Sequence, residues 1–163
     1  ILLTLQFTKS HSRDLNNLLL EKTIGLFDKI KSNRFDITIY LKEHPRFEEC
    51  LTTDILYDYN FVRRANDNLN ECLELCSLHI TEYSSVIFDS IRAGMPTILT
   101  AFCDELDIYE KEYHFPSEKM SVIQKMKNIQ DRIFYKKMIS KQLKWSKRLY
   151  EPFNEKYFIE VIS

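Results

Sequence analysis

Short apolar runs alternate with longer amphipathic stretches along this chain, as expected of strands and helices that follow one another. Residues 1–7 form an apolar run typical of a buried strand, and residues 14–31 place leucine, isoleucine and phenylalanine on one helical face. The same patterns predict strands at 36–41, near 61–62, at 78–81 and at 97–99, and helices at 47–51, at 69–76 and between the last two strands. Strands that alternate with helices predict an α/β fold, a parallel sheet with helices on both faces.

The last third of the chain lacks this alternation. From residue 117 onward the pattern is helical only, broken at Pro152, and residues 151–163 space aromatic and aliphatic side chains as on one helical face. No linker-like stretch divides the sequence, so we expect a single domain over residues 1–163 with a helical tail at 117–163. The chain opens inside a predicted strand without a methionine, and we expect a fragment cut at a domain boundary.

Charge and composition narrow the classes of partner. The 23 basic and 24 acidic side chains nearly cancel, which argues against a nucleic-acid partner and requires any anion site to be local. With 44% hydrophobic residues and no apolar run of membrane-spanning length, the sequence is typical of a globular protein. We find no secretory signal and expect a cytoplasmic protein.

The cysteine spacing is not typical of a disulfide scaffold. Cys72 and Cys76 lie one helical turn apart, and His79 follows three residues later. A metal site would join these three side chains, but a second ligand pair is missing. We favour reduced cysteines packed in the core, with no metal and no cofactor.

The turn after the strand at 78–81 is the strongest candidate for a ligand site. Ser84 and Ser85 fall where this strand gives way to a helix. A helix start carries unpaired N–H groups and a partial positive charge, so two hydroxyls placed there can bind a phosphate. The alternative, that Ser84 merely caps the helix, stays open.

Polar clusters follow three of the predicted strands. They cover residues 8–13, 42–45 and 81–85, and the carboxyl ends of parallel strands meet at one edge of a sheet, where such folds bind ligands. The only glycines are Gly25 and Gly94, which excludes the glycine-rich turn of dinucleotide-binding proteins and the Walker loop. A ligand site at this edge therefore has to bind its ligand with side chains rather than with a glycine-rich loop.

These motifs, in their order, resemble the carboxyl-terminal half of GT-B glycosyltransferases. Lys-Glu-His-Pro at 42–45, Thr-Glu-Tyr-Ser-Ser-Val-Ile-Phe-Asp at 81–89 and Gly-Met-Pro at 94–96 are similar to segments of CDP-glycerol glycerophosphotransferases and of bacterial capsule and sialic acid transferases. The resemblance covers roughly residues 37–116. It implies a Rossmann-like sheet that forms the donor-binding half of a GT-B fold, with the amino-terminal acceptor domain missing.

The resemblance also implies roles for individual residues. His44 would pair with the donor phosphate as the catalytic residue, and Pro45 would fix the turn that aims it. Asp89 stands where related enzymes carry a glutamate that binds the ribose hydroxyls. The implied substrate-binding set is Pro45, Thr81, Glu82, Ser84, Ser85 and Asp89. A simple His-Pro turn and an exposed helix residue remain the structural alternatives for His44 and Asp89.

The implied activity is metal-independent transfer from a CDP-, CMP- or UDP-linked donor to a hydroxyl of a bacterial surface polysaccharide, such as capsule, lipopolysaccharide or teichoic acid. The glycan acceptor and the general base would be held by the missing domain, so the isolated fragment should bind donor weakly and catalyse little. The full-length enzyme could associate peripherally with the inner face of the membrane. Two alternatives remain: a sugar-nucleotide 2-epimerase of the same fold, and a non-catalytic partner-binding module whose site is blocked by side chains.

Overall fold

The computed structural model describes residues 1–44 and 53–149. Its strands are β1 Leu2–Thr4, β2 Ile39–Lys42, β3 Val62–Arg64, β4 His79–Thr81 and β5 Thr97–Leu99. Its α-helices are α1 Arg13–Ser32, α2 Leu69–Leu75, α3 Val86–Arg92, α4 Ile108–Lys111, α5 Val122–Asn128 and α6 Arg132–Leu149, and short 3-10 turns cover Asp54–Asp58 and Asp104–Leu106. The helix predicted at 47–51 and the end of the tail at 150–163 lie outside the described residues.

The strands form one parallel sheet in the order β3-β2-β1-β4-β5. This confirms the predicted α/β fold class, a Rossmann-like sheet with alternating helices. The chain adds β2 and β3 on one side of β1 and then crosses to add β4 and β5 on the other side. The strand order therefore reverses between β1 and β4, and the carboxyl ends of β2, β1 and β4 lie side by side.

β1 is shorter than the apolar run that predicted it. Thr4 is the last residue of the strand, and it pairs with Lys42 and Thr81, which end both neighbouring strands. Leu5 N still donates to Lys42 O at 2.9 Å, but the strand ends at Thr4, although Leu5 and Phe7 remain buried. The apolar run at 1–7 therefore predicted burial correctly, but it was wrong about how far β1 pairs with its neighbouring strands.

Helices cover both faces of the sheet, as predicted. Side chains alternate between faces along a strand, so Leu3, Ile80 and Ile98 point to the face on which α1 packs with Phe27 and Ile30. The opposite face holds the aromatic and aliphatic cluster of α3 and α6: Ile87, Ile91, Leu99, Phe115 and Trp145. In the described part of the chain, no helix combines the length and apolar character needed to cross a membrane.

A hydroxyl network around His79 lies inside the second face. The fully buried imidazole contacts Thr4 Oγ1 through Nε2 and Thr97 Oγ1 through Nδ1, both at 3.0 Å, and Ser90 Oγ lies 3.3 Å from Nδ1. Burial lowers the pKa of His79 to about 3. The ring is therefore neutral and links β1, β4, β5 and α3.

The backbone of β5 is satisfied by a side chain from α6. The Gln142 amide accepts from Thr97 N at 2.8 Å and donates to Thr97 O at 2.7 Å, as a neighbouring strand would. Gln142 is fully buried. This contact closes an edge of the sheet that would otherwise bury unpaired backbone groups.

Candidate functional site

Ser84 and Ser85 lie at the start of α3, directly beyond the end of β4, as predicted. Ser84 Oγ accepts from Val86 N at 3.2 Å, so this serine does cap the helix. The Ser85 side chain is exposed and makes no capping hydrogen bond. The capping alternative thus describes Ser84, while the Ser85 hydroxyl faces solvent at the edge where parallel sheets bind ligands.

Asp89 lies on the same helix face as Ser85. It comes four residues later in α3, which is about one helical turn, and its side chain is exposed. The structure therefore places Asp89 on the same side of α3 as Ser85, one turn further into the helix. The observed position of Asp89 is equally compatible with an exposed helix residue that binds no ligand.

His44 follows β2 by two residues and is half-buried. Because β1 separates β2 from β4, the strands that lead to His44 and to the serines lie two strand spacings apart, about 10 Å at the usual spacing. A nucleoside diphosphate is long enough to reach across such a gap. Pro45 lies outside the described residues, so its predicted role in the turn stays a prediction.

The segment that carries His44 is anchored by contacts that the sequence did not reveal. Lys42 Nζ donates to Asn66 O and to Asp67 O, each at 2.9 Å. Glu43 accepts from the Thr53 hydroxyl at 2.9 Å. Lys42 thus ties the end of β2 to the loop after β3, and Glu43 ties it to the residue before the first 3-10 turn, so the residues directly before His44 are anchored.

Thr81 and Glu82 direct their polar atoms into the protein. Thr81 is fully buried and donates to Thr4 O at 3.3 Å. Glu82 is buried and accepts from Phe102 N at 2.9 Å, from Cys103 N at 2.8 Å and from the Thr100 hydroxyl. Their assignment to substrate stays a prediction, and the contacts observed give Glu82 a structural role, joining the end of β4 to the loop after β5.

A contact across the point where the strand order reverses was missed by the sequence analysis. Tyr83, after β4, and His11, after β1, are joined by a 2.8 Å hydrogen bond between the phenol oxygen and Nε2. Burial, with a smaller effect of Glu82, raises the pKa of Tyr83, so the phenol stays protonated at neutral pH. The residues are 72 positions apart, and only the sheet order brings them together.

An aromatic cavity of about 480 Å³ adjoins this contact. Tyr83, Phe88, Tyr109 and Tyr113 line it, together with Ile108 and Leu149. Phe88 also stacks on Trp145, with ring centroids 5.5 Å apart. The cavity therefore lies between α3, α4 and the end of α6, beside the two serines.

The cysteines in the described part of the chain contribute no ligand cluster. Cys72, Cys76 and Cys103 are free thiols, and burial raises the pKa of Cys76. His79 is occupied by the hydroxyl network and does not turn towards Cys72 or Cys76. Across residues 1–44 and 53–149, no three His, Cys, Asp or Glu side chains are grouped as metal ligands.

No model of a known protein family matches the chain, and no curated protein matches its sequence. The structure shows the architecture, a Rossmann-like parallel α/β sheet with His44 and the serine pair on loops on either side of β1 at its carboxyl edge.

Proposed function

We propose that this domain binds a nucleotide-activated donor and belongs to a metal-independent GT-B-type transferase of bacterial surface polysaccharide synthesis. One observation carries the proposal. The loops after β2 and β4, which contain His44 and the serine pair, flank β1 at the carboxyl edge of the sheet. Doubly wound sheets bind their ligands in the crevice outside this edge, where the strand order reverses. The sequence resemblance of the same segments to donor-binding halves supports the choice of ligand.

The proposed chemistry is stabilisation of the leaving nucleotide. Its phosphate gains negative charge as the bond to the transferred group breaks, and preorganised donors at that charge supply the largest catalytic contribution in many enzymes. In the proposal, His44, the serine hydroxyls and the amides at the start of α3 act as these donors, and Asp89 holds the ribose. The general base for the acceptor hydroxyl would come from an amino-terminal domain, as in the enzymes that the motifs resemble.

A specific observation favours a second candidate, a partner-binding module that has kept the fold. The hydrogen bond between His11 and Tyr83 links the loops after β1 and β4 across the crevice. In a donor-binding domain this link would open or form one wall of the site. In a partner-binding module it would close the site permanently, and no nucleotide would bind.

Nucleotide titration separates the two candidates. For a donor-binding domain, we expect one of CDP, CMP, UDP or GDP to raise the melting temperature, because a ligand that binds only the folded state stabilises it by mass action. Adenosine diphosphate serves as a control of equal charge for the three diphosphates. If no nucleotide raises the melting temperature at about 10 mM, the partner-binding module is favoured.

The double variant Ser84→Ala, Ser85→Ala should bind the active nucleotide at least tenfold more weakly. A lost hydrogen bond to a charged group costs about 1.5–3 kcal/mol, and about 1.4 kcal/mol is tenfold in affinity. Ser77→Ala is the matched control, since Ser77 is an exposed serine at the opposite end of β4. Calorimetry that finds parent-like affinity in the folded double variant would remove the serines from the site.

His44→Gln should also weaken nucleotide binding by about tenfold, because a glutamine cannot carry the positive charge that a histidine gains near neutral pH. The parent should lose affinity as the pH rises through the neutral range, and the variant should not. His114→Asn, which removes an exposed histidine elsewhere, is the control. A pH dependence that is the same in parent and variant would exclude His44 as a phosphate ligand.

A further inference from the structure

A second cavity lies between the loop after β5, the turn at 113–118 and α5. It has a volume of about 420 Å³, and its lining includes Ala101, Glu110, His114, Lys119 and Lys125. None of these residues belongs to the proposed donor site. A cavity of this volume can admit a small molecule.

Lys125 lies in this cavity with little access to solvent. Its side chain is only 6% exposed, and its ammonium donates to Ser117 Oγ at 3.0 Å. Within residues 1–44 and 53–149, it forms no ion pair. Buried lysines are almost always paired, because an uncompensated charge away from water is costly.

The neighbouring carboxylates do not supply the missing charge. Glu118 pairs with Lys141 at 2.6 Å, which lowers the pKa of Glu118. Glu110, and to a smaller extent Glu118, raises the pKa of Lys125, but neither forms an ion pair with its ammonium. Burial outweighs both carboxylates and lowers the pKa of Lys125, so the lysine itself is left without a full counter-charge.

The walls of the cavity are held in strained conformations. Ala101 and His114 both have φ of 50°, in the left-handed region that residues with a side chain rarely adopt. Glu82 fixes the first of these by accepting from Phe102 N and Cys103 N, immediately after Ala101. Strained backbone persists only where surrounding contacts impose it, and it is concentrated at functional sites.

Contacts on either side also hold His114 in place. Trp145 Nε1 donates to Tyr113 O at 2.7 Å, and Phe115 N donates to Tyr109 O at 2.8 Å. The turn is therefore fixed before any ligand binds. Preorganised walls around a buried cation are the arrangement expected of a binding site.

We propose that this cavity binds a small oxyanion, a carboxylate or a phosphate group, on the Lys125 ammonium. An ammonium has three N–H donors, and the contact with Ser117 uses one of them. With Glu118 neutralised by Lys141, the formal charges of Lys119 and Lys125 exceed that of Glu110. An oxyanion supplies both the acceptors and the charge that the cavity lacks, and it keeps Lys125 protonated.

The test is calorimetric titration of the protein with sodium phosphate and, separately, with sodium acetate, at constant ionic strength maintained with chloride. The parent should bind one of these anions, and Lys125→Met should bind it at least tenfold more weakly. Lys127→Met, an exposed lysine of the same helix, should bind as the parent does. If only phosphate binds, the group recognised is a phosphate. If only acetate binds, it is a carboxylate.

Two further measurements make the result independent of the donor site and of folding. The double variant Ser84→Ala, Ser85→Ala should keep this binding, even if nucleotide binding is lost or was never present. In the parent, the ¹³Cε resonance of Lys125 should shift on anion addition, which requires no variant. Parent-like affinity in Lys125→Met, or a Lys125 resonance that neither anion shifts at about 20 mM, would overturn the proposal.

Discussion

Glu82→Ala should lower the free energy of unfolding by about 3–5 kcal/mol, because it leaves three hydrogen-bond donors without their acceptor. The carboxylate accepts three hydrogen bonds, from the Thr100 hydroxyl and from the amides of Phe102 and Cys103. Without it, these donors lose their acceptor, at about 1–3 kcal/mol for each one that stays buried. Chemical denaturation of parent and variant measures the difference.

Two comparisons show whether this loss comes from the contacts of Glu82. Glu82→Gln keeps one acceptor oxygen and should lose less stability than Glu82→Ala. Glu74→Ala removes an exposed carboxylate of α2 and should change stability by less than about 0.5 kcal/mol. Hydrogen exchange should become faster at Phe102 and Cys103 in Glu82→Ala. If exchange there is unchanged and the variant is as stable as the parent, the carboxylate does not hold this loop.

The types of most elements could be predicted because burial follows local periodicity. The strands at 78–81 and 97–99 were predicted within a residue of β4 and β5, since each is a short apolar run between clear turn signals. The end of β1 could not be predicted, because pairing stops where the neighbouring strands stop. The separation of α5 from α6 had a signal that was overlooked: Asp131 Oδ1 accepts from Ile133 N at 2.6 Å and caps α6.

The serine pair could be located from sequence because strand, turn and helix follow one another directly. The contacts made by Glu82 and Tyr83, which directly precede the serines, could not be predicted from the sequence. Glu82 binds amides 20 and 21 positions later, and Tyr83 binds a histidine 72 positions earlier. Such pairs depend on the order of strands in the sheet, which the amphipathic pattern of single elements does not encode.

The burial of Lys125 is another feature that the sequence pattern does not predict. Its place in a helical segment rich in lysine predicts an exposed side chain, and Lys127 two residues later is exposed. Lys125 is buried because the turn at 113–118 packs over it, with Ser117 contacting its ammonium. The burial is thus produced by a non-helical segment whose conformation rests on the contacts of Tyr113 and Phe115.

Glu82 connects the two proposed sites physically. Its backbone lies between the end of β4 and Ser84, while its carboxylate holds the loop that includes Ala101 and forms a wall of the Lys125 cavity. Loss of Glu82 should therefore disturb both sites, whereas the serine variants and Lys125→Met each disturb one. This pattern of effects allows the two proposals to succeed or fail separately.

Stability of the parent should fall by about 2 kcal/mol between about pH 7.5 and pH 5, because His79 is held neutral in the fold. The pKa of His79 is about 3 in the folded protein, whereas the ordinary pKa of a histidine is 6.5. Below pH 6.5 the unfolded chain therefore takes up a proton that the folded chain does not, until the pH approaches 3. The contribution is fully present above the ordinary pKa and is lost as the pH falls, by about 1.4 kcal/mol per pH unit.

Urea denaturation of parent and variants across this range isolates the histidine, since most carboxylates titrate below about pH 5. His79→Gln should be less stable than the parent at neutral pH, because the hydroxyls of Thr4 and Thr97 lose an imidazole partner, but it should lose most of the pH dependence. His114→Asn, which removes an exposed histidine and tolerates a positive φ, should keep the slope of the parent. A slope that survives in His79→Gln would show that another group titrates, and that the buried imidazole does not set the acid sensitivity of the fold.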